Sequence, residues 1–205
     1  MSQITTGIRS ILSSPFVYET FQNIMGAKKG RSLLVTEYIR PFEGMHILDI
    51  GCGTGEITKF LPKNIIYHGY DISREYIDHA KKNFGKNAVF NCKLLDANEI
   101  SGLPKFDLVM GLGVLHHLND SEVVDFMTLA KLAMKPGGRI LTRDPCYAKD
   151  QNSLARLLVS WDRGQHVRRL EQYRELVSGV FSEVNGRVTH QSWIPYTHWT
   201  MECRA

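Results

Sequence analysis

Three glycines, Gly51, Gly53 and Gly55, follow the β-rich run HILDI (46–50) and lead into GEITKFL (55–61). An acid, Asp49, stands just before them. Glycines at a strand-to-helix turn let the chain bend tightly and bring a ligand close to the backbone. The spacing is GxGxG, and the third position of a dinucleotide-type GxGxxG pattern falls on Glu56. Charge discriminates better than spacing. A pyrophosphate is attracted by a bare helix N-terminus and repelled by the Asp49 carboxylate. A ligand carrying an ammonium and a sulfonium is attracted by it. The loop therefore favours S-adenosylmethionine (SAM) over NAD, with a tight β–α turn that binds nothing as the plain alternative.

Short apolar runs alternate with amphipathic ones along the chain. HILDI, IIYHGY (65–70), AVFNC (88–92), FDLVMG (106–111) and GRILTRD (138–144) read as strands. GEITKFL reads as a helix stopped by Pro62, Ser73 caps a helix over REYIDHAKKNF, and Ser121 opens one over SEVVDFMTLAKLAMK. SLARLLVSW and RRLEQYRELV are helical, and the tail from Gly186 to Arg204 reads as two strands joined by IPY. Such alternation implies a parallel sheet with helices on both faces and right-handed crossovers. Ligands then bind beyond the carboxyl ends of the strands. The loops that matter follow Ile50, Tyr70, Cys92, Gly111 and Asp144.

The glycine loop, the acid of YDIS, the acid of LLDAN, FDLVMGLGVLHHL and MKPGGRILTRD come in an order that resembles the class I SAM-dependent methyltransferases, from about Ile47 to Pro145. That resemblance implies an α/β, Rossmann-like, doubly wound sheet of seven mostly parallel strands with an antiparallel last strand. It implies SAM as cofactor and S-adenosylhomocysteine (SAH) as product. Asp49, Gly51, Cys52, Gly53 and Gly55 would line the cofactor. Asp71 would hold the ribose hydroxyls and Ile72 would pack on adenine. Asp96, with Ala97 beside it, would meet the adenine amino group, an ordinary Asx turn being the competing reading. The backbone carbonyl of Gly111 would face the methionine ammonium, with the missing side chains of Gly111 and Gly113 leaving space. Beyond the fifth strand the chain resembles small bacterial methyltransferases of unassigned substrate.

Methyl transfer from a sulfonium needs alignment, exclusion of water and a destination for the acceptor's proton. Orientation supplies about 7–11 kcal/mol in well-aligned systems and a general base roughly 10²–10⁴-fold. His116, His117 and Asp144 stand beside the expected methyl and are the catalytic candidates, His116 also as a cofactor contact. For both histidines a structural hydrogen bond competes with a catalytic role. Tyr196 and His198 are further pocket candidates. Cys146 is set aside as a nucleophile, because nothing beside it except Arg143 would lower its pKa. The (Asp/Asn)-Pro-Pro-Tyr pattern of amino-group nucleic-acid methyltransferases is absent, GLGV standing in its place. Adjacent histidines are not a chelating pair, so no metal is expected.

The chain has 205 residues, 43% hydrophobic and 22% charged, with net charge +4. That fits one domain and neither disorder nor a coiled coil. It is read as a single methyltransferase domain over 1–205. Residues 1–30 are an N-terminal lid in which Tyr18 and Gln22 close over the cofactor, and 45–145 are the SAM-binding core. Residues 145–167 are a substrate-side insert with Trp161, Asp162, Arg163 and His166, and 168–205 are the final helix and strand pair. No run reaches the roughly 18 apolar residues of a membrane span. No signal peptide is read at the N-terminus, and four scattered cysteines suit a reducing compartment, so the expected location is cytoplasmic. Basic residues gather at Lys28–Lys29–Arg31 and at Arg163–Arg168–Arg169–Arg174, the second group reading as a solvated helix face interrupted by Glu171 and Glu175. The expected partner is a small-molecule methyl acceptor taking the methyl on O or N, the protein being a monomer or homodimer. An RNA methyltransferase and a non-catalytic SAM-binding protein are the alternatives.

Overall fold

The computed structural model describes residues 27–162, 164–191 and 195–204. The strands are β1 (His46–Ile50), β2 (Ile66–Asp71), β3 (Ala88–Cys92), β4 (Phe106–Leu112), β5 (Met134–Tyr147), β6 (Arg168–Arg169), β7 (Glu183–Gln191) and β8 (Tyr196–Arg204). They form one sheet in the order β3-β2-β1-β4-β5-β8-β7, with β6 pairing off this path against Cys146 and Tyr147 of β5. Strands β1 to β5 run parallel, and β8 is antiparallel to both of its neighbours. The mostly parallel sheet with a reversed last strand is the one expected from the sequence.

Successive strand residues point to opposite faces, and on the central strands both are apolar. Ile47, Leu108 and Leu141 pack with Ile39, Ile77 and Phe90 on one face. Leu48, Val109 and Ile140 pack with Phe126, Met127 and Tyr173 on the other. Continuous apolar runs are what a sheet covered on both faces requires. The first face is covered by the π-helical turn Leu34–Ile39, which follows α1 (Ala27–Leu33), and by α2 (Arg74–Phe84). The second is covered by α4 (Asp120–Ala133) and α6 (Leu170–Ser178). Two shorter helices, α3 (Ala97–Ser101) and α5 (Ser153–Ser160), follow β3 and β5.

Several local expectations change. GEITKFL is a short 3₁₀ turn, Glu56–Phe60, that starts from Gly55 at φ 71° and stops at an extended Leu61, because the residue before Pro62 is pushed out of the helical region. The fourth-strand helix is capped by Asn119, whose side chain accepts the Glu122 N–H while Glu122 accepts from the Asn119 backbone. Ser121 instead donates to Asn119 Oδ1 at 2.8 Å. The turn Lys135–Gly138 bulges within β5, where Phe106 pairs with Met134 but Leu108 with Arg139. At Gly138 a Cβ would stand 2.9 Å from the carbonyl oxygens of both Lys135 and Phe106. Arg168 and Arg169 form β6 rather than the first turn of a helix, and Arg168 is buried. Arg168 therefore leaves the expected solvated helix face, while Arg174, Glu171 and Glu175 remain exposed on α6.

Candidate functional site

β1 and β2 end side by side, Asp49 in register with Gly69 and Ile50 with Tyr70. Beyond them Gly51, Gly53 and Gly55 take φ values of 78°, 55° and 71°, a region open to glycine and strained for other residues. At Gly51 and Gly55 a Cβ would strike Val114 at 2.6 Å and Phe90 at 2.8 Å. At Gly53 it would meet nothing within 4 Å, so this part of the loop faces open space. The Asp71 carboxylate fixes the loop, accepting the Gly53 N–H at 2.9 Å and the Ser73 N–H at 2.8 Å. Burial raises its pKa, and those backbone donors oppose the rise.

Asp49 is only 2% exposed. Its Oδ2 accepts the Tyr67 hydroxyl at 2.5 Å. Its Oδ1 is buried without a hydrogen-bond partner among the described residues. Burial raises the pKa to about 7, the Tyr67 bond pulling it down and Asp71 adding to the rise. A buried carboxylate oxygen without a donor, beside an open glycine loop, fits a cationic ligand group. The SAM ammonium is such a group, so the residues present fit the cofactor.

The other expected contacts divide. Ile72 is 55% exposed at the end of β2, an apolar surface available to a flat ring. Asp96 caps α3, accepting the Glu99 N–H at 2.8 Å, with Ala97 as the first helical residue. Cys52 packs its sulfur against Gly69, where a Cβ would come within 2.8 Å of it, and burial pushes the thiol well above its usual pKa. Gly111 leaves room for the Phe126 ring, not for a ligand, since a Cβ would meet that ring at 2.5 Å. Cys146 is wholly buried and its thiol is pushed up to about 12, first by burial and then by Asp144. Tyr18, Gln22 and Arg163 lie outside the described residues.

At the carboxyl ends of β4 and β5 a second cluster forms. His116, on the 3₁₀ turn Leu115–His117, points Nδ1 at Asp144 Oδ1 (2.8 Å) and Nε2 at Asp162 Oδ1 (3.1 Å). Its backbone N–H also reaches Asp144 Oδ1, at 3.2 Å. Asp162 Oδ2 accepts the Tyr196 hydroxyl from β8. Burial alone would lower the His116 pKa, but hydrogen bonds to Asp144 and then Asp162 outweigh it and raise it to about 9. His116 also holds Asp162 ionised well below the usual carboxylate range, against burial. His116 is thus a cation bridging two carboxylates. Asp144 Oδ2 is left buried with no partner among the described residues. The His117 ring lies 4.0 Å from that of His116, centroid to centroid.

Arg168 and Gly164 hold the turn that carries His116. Arg168 donates to the carbonyls of Leu115 (3.2 Å) and Leu118 (2.7 Å) and, through Nε and Nη2, to Asp120 Oδ1. Sequence reasoning missed this role, which its place in a basic run conceals. Gly164 packs against the turn so closely that a Cβ would run into His116 Cδ2 and stand 2.5 Å from its carbonyl oxygen. Gly164→Ala should therefore cost about 1–3 kcal/mol by overpacking, measured by urea unfolding. An unchanged unfolding midpoint would refute that close fit. Among the described residues no group of three His, Cys, Asp or Glu side chains is placed to hold a metal ion. No described helix is long and apolar enough to cross a membrane.

Residues 48–140 match the methyltransferase domain family. The N-terminal Xaa-Pro-Lys N-methyltransferase 1 of Xenopus tropicalis is 32% identical over 105 residues, covering 49% of this chain and 47% of that protein. A tRNA U34 carboxymethyltransferase of Pseudoalteromonas atlantica is 26% identical over 138 residues, covering 65% of this chain and 41% of that protein. The chain thus spans less than half the length of these curated relatives. Human N-acetylserotonin methyltransferase, solved with SAM, superposes with a TM-score of 0.68 at 22% identity over 95% of this chain and 57% of that one. At that identity the likeness speaks for the fold, while the domain match covers the loop, its acid and the strands up to Ile140. Residues 48–140 thus match a methyltransferase domain, and the chain as a whole shares the fold of solved methyltransferases.

Proposed function

We propose that the protein transfers the methyl group of SAM to an oxygen or nitrogen of a small-molecule acceptor. The observation that carries the donor is the buried Asp49 carboxylate, with one oxygen unpartnered among the described residues, beside the open glycine loop. Asp49 would meet the ammonium, Asp71 the ribose hydroxyls, and exposed Ile72 the adenine. Bound SAM supplies an electrophilic methyl on its sulfonium. The chain's own groups orient the acceptor. His116, with both ring nitrogens turned to carboxylates, is a positioning cation rather than a base. Asp144 Oδ2 remains to accept a hydrogen bond from the acceptor's O–H or N–H. Tyr196, Asp162 and Gly164 close that side against water, so 145–167 act as the acceptor-side cover. His117 stacks behind His116.

The relatives act on acceptors of different kinds by their names, so they do not select one. Burial of Arg168 in a structural clamp thins the basic surface that RNA would need, which favours a small acceptor. Calorimetry with SAM and NAD tests the donor, and labelled-methyl transfer to hydroxylated and amino small molecules and to tRNA tests the acceptor. Tight NAD binding without SAM binding would overturn the reading. Transfer to tRNA with steeply salt-dependent affinity would overturn the small acceptor. Asp71→Ala is expected to weaken SAM binding at least about tenfold, or about 1.4 kcal/mol, since it removes both the ribose contact and the tie to Gly53. Calorimetry giving an unchanged dissociation constant would remove Asp71 from the donor site.

A further inference from the structure

Two charged residues follow one another at the carboxyl end of β5, and alternation sends them to opposite faces of the sheet. Asp144 enters the His116 cluster. Arg143 is in register with Leu112 of β4 and Thr200 of β8. It is half-buried, and burial pulls its guanidinium below the usual arginine pKa, with Tyr38 of the π-helical turn acting in the opposite sense. Among the described residues it makes no side-chain hydrogen bond and no ion pair.

The two buried arginines among the described residues are engaged. Arg139, four residues earlier on β5, donates to Glu202 at 3.0 Å and to the Ile39 carbonyl at 2.5 Å. Arg168 is held by Asp120 and by the carbonyls of Leu115, Leu118 and His166. Arg143 differs from both: it is only partly buried, its guanidinium nitrogens stay within reach of solvent, and no described residue pairs with them, so the fork is open to a ligand. The groups beside it on β8 share the deficit. The Thr200 hydroxyl, directly across the strand pair, and His198 Nδ1, two residues away on the same face, are both buried and without a hydrogen-bond partner among the described residues. Burial, and then Arg143, lower the His198 pKa to about 3, so the ring is neutral and one of its nitrogens carries a donor hydrogen. A guanidinium, a hydroxyl and a neutral imidazole offer donors with no anion to receive them.

The place of this cluster suggests its ligand. The Arg143 carbonyl accepts the Gly113 N–H at 2.8 Å, which puts the residue beside the β4 turn that leads to His116. β4 separates it from β1 and its glycine loop. A single guanidinium fork matches one carboxylate in charge and geometry. We infer that Arg143, backed by Thr200 and His198, receives a carboxylate of the methyl acceptor, so that the substrate is an organic acid. This deepens the methyltransferase reading and rests on it for the identity of the ligand. The donor's own methionine carboxylate has the same chemistry, and the test separates the two.

The probes are matched acid and amide pairs: acetate and acetamide, benzoate and benzamide, 4-hydroxybenzoate and 4-hydroxybenzamide. Calorimetry on the whole protein, with and without saturating SAH, reads their affinities. In the wild type at least one acid should bind at least about tenfold tighter than its amide. Arg143→Gln should erase that preference while SAH affinity stays within about twofold. Arg143→Lys, which keeps the charge and loses the fork, should retain a reduced preference and serves if the glutamine variant does not fold. No acid preference in the wild type, a preference that survives in Arg143→Gln, or a loss confined to SAH affinity would each overturn the inference. SAH binding to the wild type is measured first, so a failure of the methyltransferase reading shows separately, and the comparison without SAH stands in either case.

Discussion

Asp49→Asn is expected to raise the melting temperature of the ligand-free protein at pH 8 and to weaken SAM binding at least tenfold, about 1.4 kcal/mol. The folded-state pKa of Asp49 is about 7, raised from 3.8 chiefly by burial. Between those values the folded protein holds a proton that the unfolded chain has lost. Stability therefore falls as pH rises from about 4 to about 7 and stays lower above that. At 1.36 kcal/mol per unit the ionised carboxylate costs on the order of 4 kcal/mol at pH 8. The amide removes that cost and still accepts the Tyr67 hydroxyl, but its NH₂ then sits where Oδ1 has no partner among the described residues, which returns about 1–3 kcal/mol. A net gain of about 2 kcal/mol remains, or roughly 4–8 °C in a chain of this size. At pH 5 only roughly 2 kcal/mol of that cost is present, because pH 5 lies about one unit above the unfolded pKa, and the unpaired NH₂ cancels it, so the gain disappears. Melts at pH 5 and pH 8, with titrations of SAM, check both halves. A variant that is no more stable at pH 8 than at pH 5, relative to wild type, would sink the account of Asp49 as a strained carboxylate awaiting a cation.

The second large effect is expected at His116. Its imidazolium lies between Asp144 and Asp162, and Asp144 is 1% exposed. His116→Ala leaves that carboxylate buried with only a backbone donor and should cost about 3–5 kcal/mol. The His116→Ala/Asp144→Ala double variant should cost less than the sum of the two single variants, because each single change strands a partner. The pH dependence has a definite sign. The pKa is raised from 6.5 to about 9 on folding, so the contribution is fully present below about pH 6.5 and is lost as pH rises through about 9. In activity, His116→Ala should lower turnover more than SAM affinity, since the ring holds the acceptor side of the site. Turnover unchanged after correction for the folded fraction would remove it from the machinery. A stability difference that does not shrink between pH 6 and pH 10 would refute the charged bridge.

The local structure around the proposed donor site was readable in the sequence because local rules govern it. The strands HILDI and AVFNC keep their bounds, Ser73 caps its helix, and all three loop glycines adopt the positive φ that motivated reading them as a turn. The acceptor half was only partly readable. His116, Asp144, Asp162 and Tyr196 could be nominated one by one, but their chain of contacts joins residues far apart in sequence, which no spacing encodes. Roles also shifted where packing outweighed type. Gly111 makes room for Phe126, Cys52 fits against Gly69, and Arg168 left a basic run for a buried clamp. Arg143 looked only like a neighbour of Cys146. Its signal was present as a second charge, after Arg139, on the strand face that carries Leu141. Tyr67 was hidden because a tyrosine in a strand needs no explanation until its hydroxyl is found on Asp49.

β8 is the last of the described strands to be synthesised, yet it lies inside the sheet, between β5 and β7. Growth at a ribosome's pace of about 5–20 residues per second therefore leaves β5 with an open edge and β7 without its strand neighbour until residues 196–204 emerge. Strands β1 to β5, with Asp49, the glycine loop and Asp71, have all their mutual pairings available earlier. The consequence is an order of assembly. The strands that carry the proposed donor site can pair with one another before residues 196–204 are made, and the part carrying Thr200, His198 and Tyr196 is completed only with them.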